Sequence, residues 1–226
     1  MKRIILIGNT VAADIMYAYL AQDLRYEVVG FSVDKAFIVE TSKHGHPVVD
    51  LENLAQVYDP LSHRVIMASG YSNQNTTRQT LFEKVKEMGF SVESYIHPDA
   101  RIYNSSDVSN IGEGSIIMPN TTIEVFTQIG KNSVVWTNCT IGHHSSVGDH
   151  CWIASGSALA GATHIGNNSF LGINATISYQ VKIGERNIVG SGVAIHKDTK
   201  DNEVYLSRQG EKHRFSANDY AQYFLK

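Results

Sequence analysis

From Ile111 to Ile195 every sixth residue is Ile, Val or Leu, without a break over fifteen positions. The fourth step after each is nearly always small: Ser115, Thr121, Thr127, Ser133, Cys139, Ser145, Cys151, Ser157, Thr163 and Ser169. A period of six fits neither an α-helix nor an extended strand. It is the signature of a parallel β-helix, in which each hexad makes one short strand and a turn, and three hexads close an eighteen-residue coil. The aliphatic residue fills the interior, and the small one fits the tight corner beside it. Ile96, Ile102 and Val108 keep the period but stand three residues out of phase with Ile111, which puts a short insertion near "VSNIGEG".

Residues 1–95 follow another grammar. "RIILIG", "YEVVGFSVD", "RVIMASG" and "FSVESYI" read as strands. Between them "NTVAADIMYAYLAQDL" has Val11, Ile15, Tyr19 and Leu20 at helical spacing, "DLENLAQVY" suits a short helix, and "NQNTTRQTLFEKVKEMG" suits a helix ending at Gly89. The alternation predicts a Rossmann-like, mainly parallel α/β domain. The expected organisation is α/β over 1–95, parallel β-helix over 96–197, and an extension over 198–226. A solenoid needs covered ends; the α/β domain is expected to cap one and the extension the other. Ser216 with Asp219 resembles a capping box opening a short helix.

Nineteen Lys and Arg against twenty-two Asp and Glu give a net charge of -3, with no basic stripe. Nucleic acid and anionic membrane surfaces are therefore not the implied partners. The longest apolar runs fall short of the roughly eighteen residues of a membrane span. "MKRIILIGNT" lacks the apolar stretch and cleavage site of a signal peptide, so the reading is cytoplasmic. Cys139 and Cys151 both take the small inward position and read as buried thiols.

Coils stack about 4.8 Å apart, so residues eighteen apart are neighbours. His143 then lies against Gly161, and His144 against Ala162. Both histidines face outward, as an ordinary surface histidine would. Yet an imidazole beside bare glycine backbone is also what acyl transfer needs: a base for the nucleophile and an N–H for the developing oxyanion. The remaining histidines, His44, His46, His63, His97, His150, His164, His196 and His213, have no comparable neighbour. No two histidines in the helix are five apart, the spacing that a γ-type carbonic anhydrase site would require, so no metal is expected.

These features together resemble the NeuD/PglD-type bacterial sugar acyltransferases. The resemblance covers residues 1 to about 197 and is strongest in "SSVGDHCWIASGSALAGATHIGNNSFLGINATI". It implies a left-handed β-helix, a homotrimer, and acetyl-CoA as co-substrate held between neighbouring helices. It implies His143 as catalytic base with His144 beside it, and Gly161 as the backbone facing the thioester. It implies coenzyme A contacts at Gly161, Ala162, Gly172, Ile173, Gly190 and Gly192. The N-terminal domain would hold a nucleotide-linked amino sugar through Gly8, Asn9, Thr10, Asp34, Lys35, Ser69, Gly70 and Tyr71. Three positions depart from the family pattern: His144 replaces an acidic residue, Trp136 an asparagine, and Trp152 a histidine found in some relatives. Trp136 is a further candidate for the acceptor pocket.

"GNTVAA" has Gly8 but Thr10 and Ala13 where a dinucleotide fingerprint has glycines, so NAD is not implied. The expected activity is N-acetylation of an amino sugar linked to UDP, dTDP or GDP, in surface polysaccharide or glycan synthesis. O-acylation as in the NeuD branch, another acyl donor, and a non-catalytic scaffold are the alternatives. Two adjacent imidazoles resist being charged together, which would favour a neutral, basic His143.

Overall fold

The computed structural model describes residues 1–103 and 110–208, with 210, 212, 214, 216, 217 and 221. Val108, His213 and Asp219 lie outside the described residues, and with Asp219 the start of the expected terminal helix.

The N-terminal half is built on one sheet. Its strands are β1 (Lys2–Ile7), β2 (Tyr26–Val33), β3 (Ser42–Lys43), β4 (His46–Asp50), β5 (Arg64–Met67) and β6 (Ser91–Val92), in the order β3-β4-β2-β1-β5-β6. All pairs are parallel except β3 with β4. Its helices are α1 (Val11–Leu20), α2 (Leu54–Val57) and α3 (Thr76–Glu87). The strand β4 is an addition to the sequence reading. From β1 the chain steps outward to β2 and β4, then returns to β5 on the other side. Ligand crevices in open parallel sheets form at the carboxyl ends of strands where the order reverses in this way.

The face of α1 also differs from its periodicity. Val11 is 71% exposed, whereas Ala13, Met16 and Leu20 are buried. The helix is covered on two sides, by its own sheet and by the solenoid, so apolar residues occur around most of it.

"FSVESYI" divides between the two halves. Ser91–Val92 pairs with β5, and Tyr95–Ile96 pairs with Ile116–Ile117 in the solenoid. From there the chain forms three parallel sheets of seven, six and four strands among the described residues. The first face runs through Val134–Val135, Trp152–Ile153 and Phe170–Leu171; the second through Thr140–Ile141, Ala158–Leu159 and Thr176–Ile177; the third through Ser146–Val147, His164–Ile165 and Lys182–Ile183. Partners are eighteen residues apart throughout these pairs. Ile96 and Ile102 instead pair twenty-one residues on, with Ile117 and Ile123, while Ile111 bridges Ile129 in the regular register. The three-residue slip therefore lies between Ile102 and Ile111, just ahead of "IGEG".

The interior is a column of Ile, Val and Leu. Burying each such side chain contributes about 1.5–3 kcal/mol. Beside it runs a ladder of hydroxyls and thiols. Ser133 Oγ donates to Gly148 O, Ser157 Oγ to Gly172 O, and Ser169 Oγ to Gly184 O, each fifteen residues on. Cys139 and Cys151 do the same with their thiols, to Ala154 O and Gly166 O. Burial pushes the two thiols up to about 11 and about 12. The small position is thus a buried donor position, which cysteine fills as serine does.

A further six-residue period appears in the backbone. Asn120, Phe126, Asn132, Asn138, His144, His150, Ala162, Asn168, Asn174, Gln180 and Arg186 all have φ between 51° and 61°, and Gly156 and Gly192 stand in the same phase with positive φ. Asparagine and histidine tolerate this left-handed conformation better than most residues.

The α/β half does not cap an end of the solenoid; it lies along the first face. The outward residues of that face are Ile116, Val134, Trp152 and Phe170, which require cover. Those of the second face are Thr122, Thr140, Ala158 and Thr176, and those of the third Gln128, Ser146, His164 and Lys182. Helix α1 covers the first face. The loop before α3 and α3 itself run along the corner between the third and first faces, through Gln74 with Arg186, Asn75 with Ser169, Arg78 with Asn132 and Gln79 with Asn168. At the far end the chain after Lys197 closes the last coil. Val204–Tyr205 pairs with Ile188–Val189, and Asn187 Nδ2 donates to Thr199 Oγ1 and Lys200 O. No helix among the described residues is long and apolar enough to cross a membrane.

His150, on the junction corner, is 4% exposed. Its Nδ1 accepts from Asn132 Nδ2 at 2.9 Å, and its ring meets the edge of Phe82. Burial holds its pKa below the ordinary histidine value; Asp149 and Glu83 oppose this, and Lys131 and Arg78 reinforce it. The unfolded chain takes up this proton near pH 6.5, the folded one only at lower pH. The contribution is therefore complete above pH 6.5 and is lost as pH falls below it. Melting temperatures are expected to decline below pH 6.5, and less steeply in His150→Asn. An unchanged slope in that variant would assign the dependence to another group.

Candidate active site

Two sets of residues converge, on different sides of the molecule. The first is at the corner between the second and third faces. His143 and His144 occupy the turn between Thr140–Ile141 and Ser146–Val147. Both are exposed. The His143 ring lies against the Cα of Gly161 so closely that a Cβ there would stand 2.5–3.0 Å from three ring atoms. Only glycine accommodates the imidazole in this place. Ala162 N donates to His143 O at 2.7 Å, tying the same two coils together.

At this step of the hexad some N–H groups are capped by a side chain of a neighbouring coil and others, such as those of Thr137, Ser155 and Gly161, are open among the described residues. The N–H groups of Lys131, Asp149 and Glu185 are capped by the side chains of Asp149, Asn167 and Asp201. That of His143 is capped by Glu124 Oε2 at 2.8 Å. The Gly161 N–H, at the same step of its hexad, has no acceptor among the described residues.

The two imidazoles touch through their Nδ1 atoms, 3.1 Å apart. One must donate and the other accept. If His143 Nδ1 carries the hydrogen, its Nε2 keeps a free lone pair. His144 stands in the left-handed turn position, φ 57°, with its ring packed on Phe126 at 4.7 Å. Tyr179 lies two coils on, its ring centroid 6.5 Å from that of His143. Glu124 was not found by sequence reasoning. It belongs to the preceding coil, nineteen residues earlier, one position short of Val125, on which the eighteen-residue count from His143 lands.

The second set surrounds a cavity of about 430 Å³ at the carboxyl ends of β1, β2 and β5. Gly8, Asn9, Thr10, Asp34, Ser69 and Gly70 line it, joined by Ser32, Phe37, Ser72 and Thr77. Asn9 Nδ2 donates to Phe37 O, and Asp34 is paired with Lys84 Nζ at 3.1 Å. Thr10 opens α1 without a side-chain cap. Backbone N–H groups at such a turn are suited to phosphate oxygens.

Lys35 and Tyr71 are not among the lining residues. Tyr71 packs instead on Trp152 and Phe170, with ring centroids 5.1 and 4.9 Å away. Trp136 is half-buried against Trp152, at the corner between the first and second faces. Gly172, Ile173, Gly190 and Gly192 share that corner, one corner away from Gly161 and Ala162. Gly172 is required there by the stack, since a Cβ would fall 2.6 Å from Ser191 N. Within one chain the cavity and Trp136 are thus remote from His143.

No group of His, Cys, Asp and Glu suited to a metal occurs among the described residues. The model of the bacterial transferase hexapeptide (six repeats) matches residues 162–197. A search of curated protein sequences finds no match. Among solved structures the chain is similar to the acetyltransferase domain of PglB from Neisseria gonorrhoeae, with 26% identity and TM-score 0.79 over 90% of this chain and 96% of that one. It is equally similar in fold to PerB from Caulobacter crescentus in complex with CoA and GDP-perosamine: 28% identity, TM-score 0.79, 90% of this chain and 93% of that one. Perosamine N-acetyltransferase from the same organism has also been solved with a histidine replaced by asparagine, in the same complex, at 27% identity and TM-score 0.79, with the same coverage.

Proposed function

We infer, taking as premise that this chain is a NeuD/PglD-like hexapeptide-repeat acyltransferase, that it transfers the acetyl group of acetyl-CoA to the amine of a nucleotide-linked amino sugar. The observation that carries this is the His143 imidazole seated on the bare backbone of Gly161, whose N–H is uncapped. The similar Caulobacter enzyme is an N-acetyltransferase solved with CoA and GDP-perosamine. Glycan biosynthesis is the setting that such a product fits.

In this reading His143 Nδ1–H donates to His144 Nδ1, which leaves Nε2 to take a proton from the attacking amine. An imidazole suits the task because its ordinary pKa of about 6.5 lies near working pH. The Gly161 N–H donates to the oxygen of the carbonyl under attack. The new C–N bond replaces the C–S bond, and the sulfur leaves as the thiol of CoA. His144 does what an acidic residue would otherwise do, holding the tautomer of its neighbour. The acid at this site is Glu124, engaged with the His143 backbone.

The cavity at Gly8, Asn9, Thr10, Asp34, Ser69 and Gly70 takes the nucleotide, with Lys35 and Tyr71 at its margin. Because His143 and this cavity lie on different sides of one chain, a complete site needs a second copy. Homotrimer assembly supplies it, and the small, uncharged outward residues of the second face favour close packing. Coenzyme A then runs between copies, past Gly161 and Ala162 of one and Gly172, Ile173, Gly190 and Gly192 of the next, with Trp136 near the acceptor. We read the solenoid as left-handed, the first half as Rossmann-like, and the domains as 1–95, 96–197 and 198–226, in a cytoplasmic enzyme.

The test is a panel of UDP-, dTDP- and GDP-linked amino sugars with acetyl-CoA, following free thiol and product mass. Thiol release that depends on the amine of one sugar is expected. Transfer to a hydroxyl would move the assignment to O-acylation, and no CoA binding at all would leave a scaffold.

A further inference from the structure

Arg78 is 1% exposed at the junction of the two halves. Its Nε donates to Asn132 O at 3.2 Å, and its Nη1 to Met67 O at 2.7 Å and Ser69 O at 3.1 Å. All three acceptors are neutral carbonyls. No carboxylate pairs with it among the described residues, and its Nη2 has no partner. Burial pulls its pKa down to about 9, which still leaves it cationic at neutral pH. Burying an unpaired cation is costly, so this charge calls for a counter-charge from elsewhere.

The cavity lies on the other side of the strand end that Arg78 grips. Ser69 carries the gripped carbonyl and also lines the cavity, as does Thr77, the neighbour of Arg78 in sequence. All described peptides are trans, so the Ser69 carbonyl and the Gly70 N–H point in opposite directions. The Gly70 N–H therefore faces away from the guanidinium, and it finds no acceptor among the described residues. Two hydroxyls on the cavity, Ser32 Oγ and Ser69 Oγ, are also buried without partners, and Ser32 is fully buried. No Lys or Arg lines the cavity, and its one acid, Asp34, is engaged with Lys84.

We propose that Arg78 is a positioning residue for the diphosphate of the nucleotide: it fixes the Ser69–Gly70 peptide so that the Gly70 N–H meets the anion, and its unpaired charge behind that peptide is the charge that the anion balances. This rests on the cavity being the nucleotide site. It predicts discrimination between nucleotides and nucleosides rather than between bases, because the guanidinium acts on the phosphates alone.

Calorimetry with GDP, UDP and dTDP, each against its nucleoside, tests the proposal on the full chain. The intact protein is expected to prefer one diphosphate over its nucleoside. Arg78→Met should weaken that diphosphate by about tenfold to a hundredfold, through loss of the nearby counter-charge and of the held peptide, and leave the nucleoside unaffected. Arg78→Lys keeps the charge without the fork and should fall between. Gly70→Pro removes the donor on the cavity side, at a position where a Cβ meets no atom within 4 Å, and serves if Arg78→Met does not fold. Equal binding of diphosphate and nucleoside by the intact protein would overturn the proposal, as would an undiminished preference in folded Arg78→Met or Gly70→Pro. Failure of the intact protein to bind any of the three diphosphates would instead overturn the nucleotide reading of the cavity, and this inference with it.

Discussion

His143→Ala is expected to lower kcat by about 10²- to 10⁴-fold while KM for both substrates stays near its original value. The side chain is exposed, and its contact is with glycine backbone rather than with the core. Its removal should therefore leave the melting temperature unchanged, and a loss of activity can be read as lost chemistry. Steady-state kinetics with the identified sugar and acetyl-CoA, alongside a thermal melt, decide the matter. Wild-type turnover in the variant would remove His143 from the mechanism.

Gly161→Ala should be nearly as damaging, by a different route. A methyl group at this position would lie 2.5 Å from Cε1 and 2.6 Å from Nε2 of His143. Real Cβ contacts do not come so close, so the ring must swing outward. It then loses its place relative to the Gly161 N–H, and base and oxyanion donor no longer share a target. A fall of about 10²- to 10³-fold in kcat is expected, the usual cost of spoiling an oxyanion contact. Stability should change little, because the displaced ring moves into solvent. Combined with His143→Ala, the substitution should add little further loss, since the two act as a unit. Additive losses in the double variant would mean that Gly161 serves some purpose other than seating the imidazole.

Counting in eighteens places His143 on Gly161, and the six-residue period gives the aliphatic column and the three-residue slip. The side on which the α/β half packs did not follow. That information was present in the residue just before each inward aliphatic: Ile116, Val134, Trp152 and Phe170 on one face, threonine and alanine on the next. Reading only the inward positions missed it. The strand β4 was missed because "HPVVD" is short and begins beside a proline, which carries little strand signal. "FSVESYI" reads as one strand because Phe90 and Val92 alternate with polar residues and Tyr95 and Ile96 follow without a turn residue; the break falls at Glu93 and Ser94, whose polar bonds hold the crossing between sheets. Lys35 and Tyr71 are candidates by family resemblance, and Trp136 by its departure from the family pattern. The structure turns Tyr71 and Trp136 toward the aromatic seam between the halves, a packing preference that sequence spacing does not reveal.

The slip ahead of Ile111 has a consequence for how such a chain can change over time. The solenoid works like a reading frame. One residue gained or lost inside a hexad would put later aliphatics out of step with the earlier coils, and one falling between His143 and Gly161 would part the two. Three residues were accommodated where the frame is reset, between Ile102 and Ile111, upstream of both. Length variation in descendants of this chain should therefore gather ahead of Ile111 and beyond Ile195, while the span between them holds its count and varies only in which side chains it presents.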